Sequence, residues 1–427
     1  LLAYRAQILH LLDDPARAGA AAVAYHPDGL LLVDRGKVVA CGDHDDIAPR
    51  LGAAKVQAFP GRLITPGFID LHIHFPQIDV IAAHGEQLLD WLERYVYPAE
   101  AAFANPAHAQ AAAKAFVAEL LRNGTTTAMV FGSSHRASVE ALFTEALAKN
   151  MRLIAGKVLM DRAPDSVADT VESGRRDTLA LIEAWSGKGR LGYAVTPRFA
   201  LTTSPDQLAM AGEILANHPE VWMQTHLAEN RDEIAAVASA IPEADDYLNV
   251  YERHGLVRRR SVFAHCVHLS GGGFARMASA GAAAAFCPTS NLFLGSGLFP
   301  LRAAQAAGVK VGMGTDVGAG TSFSILATLA EAYKVGQLQG EPLDPLRAFH
   351  LATLGGAHAL DLGDRIGNFA PGKEADFLVL DPTATPLLAR RLAEVTDLEA
   401  RLFALIMLGD DRVVERTYVA GKLRHRR

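Results

Sequence analysis

From about Leu63 the sequence alternates short β-rich runs with alanine-rich helical segments, and this alternation constrains the fold more than any other feature. The runs are "LITPGFIDLHI", "TTTAMVFG", "RLIAGKVLM", "LGYAVTPRF", "VWMQTHLAE", "SVFAHCVHL", "GAAAAFCPTS" and "VKVGMGTDV". Amphipathic stretches such as "AHAQAAAKAFVAELLRN" and "SVEALFTEALAKN" lie between them. Eight strands separated by helices predict an α/β fold built on a parallel (β/α)8 TIM-type barrel, with an open eight-stranded sheet as the alternative.

The two ends have a different pattern. "LLLVDRGKVVACGD" and "VVERTYVAGKLRHR" predict hairpins turning at "DRGK" and "VAGK", and "GKEADFLVLDP" predicts one more strand. The expected organisation is a small β domain formed by both chain termini, residues 1–64 and 369–427, with a catalytic barrel over 65–368. "SGGG" at Ser270–Gly273 is expected to be a loop.

Half of the 427 residues are apolar and 21% are charged, ordinary values for a globular chain with a large core. A net charge of −6 argues against a nucleic-acid or anionic-membrane partner. Three cysteines, Cys41, Cys266 and Cys287, are too few for a disulfide framework and form no CxxC pair. No apolar run has membrane-spanning length and no signal pattern stands at the start, so the expected compartment is cytoplasmic.

In barrel enzymes the chemistry sits at the C-terminal strand ends. The first run ends in His72 and His74, on one face of the strand, and leads to Gln77. The fourth ends in Arg198 and Phe199, the fifth in His226, the sixth in His265 and the eighth in Asp316. A single strand-end histidine is more often structural; several imidazoles with an aspartate at successive strand ends suit a first-row metal, zinc in particular.

Glu229 follows His226 by three positions, so on a continuing strand the two would face opposite ways. A turn after His226 would bring the carboxylate back beside the metal, where it can move protons; otherwise it serves only the start of the next helix. His265 is a candidate ligand or proton carrier, His268 is expected to be structural, and His135 is a reserve candidate. Lys157 is the residue that a two-metal site bridged by a carboxylated lysine would need.

With "PGFIDLHIH", "THLAEN", "AHCVH" and "GTD" in this order, the whole chain resembles the amidohydrolase superfamily of metal-dependent hydrolases. "HIHFPQ", "GEQLLDWLERYVYPAE", "TPRFALTTS", "CPTSNLFLGSGLFPL" and "GTDVGAGTSFS" resemble its guanine deaminase family. That resemblance implies one zinc per chain held by His72, His74, His226 and Asp316. It implies Glu229 as proton shuttle, with His265 and Asp316 stabilising the attacking oxygen. Gln77, Arg198 and Phe199 would contact the substrate, guanine, which would become xanthine and ammonia. A homodimer is implied as well. Deaminases of other aminated rings and two-metal cyclic-amide hydrolases are the neighbouring alternatives.

Overall fold

The computed structural model describes residues 1–84 and 87–427. Gly85 and Glu86, which open the motif "GEQLLDWLERYVYPAE", lie outside the described residues. Four strands come first: β1 Leu2–Leu11, β2 Val23–Asp34, β3 Lys37–Asp43 and β4 Val56–Pro66. The alternating region supplies β5 Phe68–His74, β6 Thr125–Phe131, β7 Arg152–Gly156, β8 Val158–Leu159 and β9 Leu191–Pro197. It continues with β10 Trp222–Leu227, β11 Ser261–His265, β12 Ala283–Phe286 and β13 Lys310–Met313. The chain finishes with β14 Phe377–Leu380, β15 Val414–Val419 and β16 Lys422–Arg426.

Strands β5 to β13 form the parallel barrel in the order β13-β12-β11-β10-β9-β7-β6-β5, with β8 on β9. Every residue of β5, β6, β7 and β9 is buried, as expected of parallel strands covered on both faces. Past the end of β13, Asp316 N donates to His72 O (2.8 Å) and His74 N donates to Val317 O (3.0 Å). The segment after the last strand is therefore hydrogen-bonded to the end of the first beside the two histidines, so the barrel nearly closes.

The other sheet takes strands from both termini, in the order β16-β15-β14-β4-β1-β2-β3. Phe377 and Tyr418 stack in its core with ring centroids 4.3 Å apart, beside Tyr4, Ile8, Leu31 and Ile64. Both hairpin turns form as expected: Arg35 and Gly36 have φ 46° and 79°, and Ala420 and Gly421 have 46° and 71°. Two successive positive φ values match the right-handed twist of the flanking strands, which explains the glycine in each.

Compact packing divides the chain into two units. One is Leu1–Ile69, Ala118–Thr127 and Ser324–Arg427; the other is Asp70–Val117 and Ala128–Phe323. One expectation fails. Ser270–Gly273 is not a loop but the start of a helix, Gly271–Ala280. Ser270 caps it by accepting from Gly273 N, and buried Phe274 and Met277 hold its inner face, which outweighs the low helix propensity of glycine.

Candidate active site

The strand ends converge. His72 and His74 leave β5 on one face, and Asp316 reaches them from the turn after β13. Its Oδ1 lies 3.1 Å from His72 Nε2 and 3.3 Å from His74 Nε2. His226, on β10, brings its Nε2 to 3.2 Å from His74 Nε2. All four residues are at least partly buried, and His72 Nε2 and His74 Nδ1 have no hydrogen-bond partner among the described residues. Two donors on bonds of about 2.1 Å at a tetrahedral angle stand about 3.4 Å apart. The observed spacings match ligands sharing one ion, and the donor set of neutral nitrogens and a carboxylate suits a divalent metal.

The electrostatics favour that state. Burial pushes the His72 pKa down to about 4 and lowers those of His74 and His226 too, so each imidazole keeps a lone pair. Burial pushes Asp316 up, but the imidazoles of His72, His74 and His265 overcome it and hold the carboxyl well below its usual range. His226 Nδ1 donates to Arg198 O at 2.7 Å, which fixes the tautomer and aims Nε2 at the cluster. Phe131, at the end of β6, packs against the rings of His72, His74 and His226, with centroids 4.9, 4.7 and 4.8 Å away.

The turn after His226 has the geometry that a catalytic Glu229 requires. Ala228 has φ 50°, a strained left-handed conformation that reverses the chain and returns Glu229 to the site. Glu229 Oε2 lies 3.4 Å from His265 Nε2, and Ser296 Oγ donates to Oε1 at 3.3 Å. The cap of the next helix, Arg231–Ala240, is not Glu229: Asn230 and Glu233 form its capping box. Glu233 Oε2 accepts from Glu229 N (3.0 Å) and Asn230 N (3.1 Å). Burial pushes the Glu229 pKa up to about 7.

His265 has φ 71°, and its Nδ1 stands 2.9 Å from Asn291 Oδ1. Its Nε2 therefore faces Glu229 and Asp316, the latter 3.8 Å away. Burial lowers its pKa, and the two carboxylates more than reverse this, leaving it raised.

Gln77, Arg198 and Phe199 line the same cavity, whose apolar wall includes Leu88, Trp91 and Leu294. Arg198 Nη1 lies 2.8 Å from both carboxylate oxygens of Glu100, and Gln77 Nε2 donates to Glu100 Oε1 at 3.2 Å.

Three residues singled out in the sequence stand elsewhere. Lys157 donates to the Asp169 carboxylate and to Val158 O; His135 Nε2 meets Ser166 O at 3.1 Å; neither lines the cavity. His268 Nε2 donates to Ser296 O at 2.7 Å, the structural role expected of it.

Sequence reasoning missed Glu100, Asn291 and Asp70. Asp70 accepts from His72 N (3.1 Å), Thr315 N (3.1 Å) and Thr315 Oγ1 (2.5 Å), and so braces the segments that carry His72 and Asp316. Its signal was its place in "IDLHIH": a carboxylate within a fully buried strand needs partners.

The amidohydrolase family model matches residues 63–424. Guanine deaminase of Escherichia coli (strain K12) is 51% identical over 422 residues, 98% of this chain and 96% of that protein. The solved E. coli guanine deaminase superposes with a TM-score of 0.98 at 50% identity, covering 100% of both chains. A C. acetobutylicum guanine deaminase structure with guanine bound in its active site gives 0.91 at 28% identity, over 99% of this chain and 100% of that one. The chain belongs to the amidohydrolase family and, within it, groups with the guanine deaminases.

Proposed function

We propose that this protein is a zinc-dependent guanine deaminase that hydrolyses guanine to xanthine and ammonia, as part of purine catabolism. The observation that carries the reading is the placement of Glu229 and His265, 3.4 Å apart, beside the imidazole cluster in a cavity that also contains Gln77 and Arg198. The high identity to guanine deaminases supports the choice of substrate.

His72, His74, His226 and Asp316 would hold one zinc ion per chain. Zinc, when bound, lowers the pKa of water toward neutrality and so supplies the nucleophile. Glu229, with a pKa near working pH, takes a proton from the attacking water and gives it to the ring nitrogen beside the amino-bearing carbon. It then passes the second proton to the amino group, and the C–N bond breaks to release ammonia. His265 and Asp316 hold the attacking oxygen in place. Arg198 uses Nη1 on Glu100, leaving its other N–H groups for purine acceptors; Gln77 offers its amide oxygen as an acceptor. Phe199 supplies an apolar wall. The enzyme would work as a cytoplasmic homodimer.

Purified protein incubated with guanine, other aminopurines, cytosine and aminotriazines, with ammonia release followed, tests the reading. Guanine should be the preferred substrate. Turnover of another ring with none of guanine would overturn it.

A further inference from the structure

A second group of metal-ligating side chains lies in the terminal sheet. One ring nitrogen each from His10 and His26 and the sulfur of Cys41 lie within 4.8 Å of one another. The three residues come from three adjacent strands, β1, β2 and β3. We propose that His10, His26 and Cys41, with Asp43 beside His26, form a metal site for zinc or a similar thiolate-binding divalent cation.

A β-bulge brings the residues to one face. Ile8 faces His26 while Ala6 faces Gly29, so β2 spans three residues where β1 spans two. Side chains alternate along a strand, so without this extra residue His26 would project from the face opposite Gly29 and Leu31. With it, His26 shares the face of Ile8 and, two residues on, His10. Across β3, Leu31 faces Cys41 and Gly29 faces Asp43, which places both on that face as well. Gly29 also keeps the space open: a Cβ there would lie 2.9 Å from the His26 Cβ.

The polar groups are arranged as ligands rather than as a hydrogen-bonded network. His10 is 5% exposed, and its Nδ1, like that of His26, has no hydrogen-bond partner among the described residues. Asp43 Oδ1 stands 3.1 Å from His26 Nδ1 but out of line for a hydrogen bond, near the separation of two ligands on one zinc. Asp43 occupies the N-cap position of the helix His44–Ile47 yet makes no capping bond, so its carboxylate is turned elsewhere.

Burial pushes the His10 pKa down to about 4, keeping it neutral, and pushes the Cys41 thiol up to about 12. A thiol so disfavoured as a free thiolate is a poor redox nucleophile; on metal binding it releases its proton to water and the ion stabilises the thiolate. The Lys373 ammonium also acts on His10 and is held by Ile366 O at 3.3 Å. Two histidines and a thiolate give three protein donors of the kinds zinc takes, and the Asp43 carboxylate, 59% exposed, stands at the solvent side of His26.

The test is cobalt titration of the metal-free full-length chain. A near-ultraviolet thiolate-to-cobalt charge-transfer band should appear, and Cys41→Ser should remove it along with one equivalent of bound metal. Absence of the band in the wild type, or its persistence in Cys41→Ser, would overturn the proposal. Should Cys41→Ser fail to fold, the wild type itself gives the answer. Reaction of Cys41 with a disulfide reagent should be slowed by Zn2+ and unaffected by Mg2+; an equal rate with and without Zn2+ would contradict the site.

Discussion

Both carboxylate oxygens of Glu100 lie 2.8 Å from Arg198 Nη1, in a pair that is almost wholly removed from solvent. Glu100 also accepts from Gln77, so one buried acid orients both polar side chains proposed to read the purine. Glu100→Ala would leave Arg198 as an uncompensated buried charge, at about 3–5 kcal/mol of stability measured by urea unfolding. Glu100→Gln should fold, and its kcat/KM for guanine should fall about tenfold or more, mostly through KM. An unchanged KM in Glu100→Gln would contradict the orienting role.

Glu233 anchors the backbone of Glu229 and Asn230 and accepts from Tyr247 OH at 2.6 Å. Glu233→Ala frees the turn that aims Glu229. The expected loss is about 1–2 kcal/mol of stability with kcat reduced more than KM is raised and the bound metal retained. Steady-state kinetics alongside metal analysis would separate this from loss of the ion.

Metal removal should stop turnover if the proposed ligands hold the ion: Asp316 Oδ1 lies 3.1 Å from His72 Nε2 and 3.3 Å from His74 Nε2, and His226 Nε2 lies 3.2 Å from His74 Nε2. Chelation should abolish activity and Zn2+ should restore it. The melting temperature should rise with Zn2+ concentration, equivalent to about 2.7 kcal/mol at a hundredfold excess over Kd. His226→Ala should lose the recovery of activity with Zn2+ and the part of the thermal stabilisation that comes from this site.

The architecture was legible because its signals are local and repeated: apolar β runs, alanine-rich helices, and Gly36 and Gly421 in two-residue turns. The histidines and Asp316 were legible because strand ends in a barrel converge whatever the loops do. Glu100 was not, since its meaning depends on Arg198, 98 residues away, and an acid in a helical segment usually faces water. Ser270–Gly273 misled for the opposite reason. Three glycines read as a loop, while the cap and the burial of Phe274 decided for a helix.

Outside the site, burial pushes the His350 pKa from 6.5 down to about 4. The unfolded chain binds this proton below about 6.5 and the folded chain not until about 4. Stability from this group is therefore lost as pH falls through that window and levels off below it, by at most about 3 kcal/mol. His350→Gln should flatten this part of the stability curve, measured by urea unfolding at a series of pH values.

The central claim is that Glu229 moves the protons of guanine hydrolysis beside a metal it does not bind. Guanine turnover and metal content measured together on the wild type and Glu229→Gln test it most directly. The account predicts xanthine and ammonia from the wild type, and a loss of about 10²–10⁴-fold or more in kcat for Glu229→Gln with its zinc unchanged. Near-normal turnover by Glu229→Gln, or loss of the metal with the substitution, would contradict it.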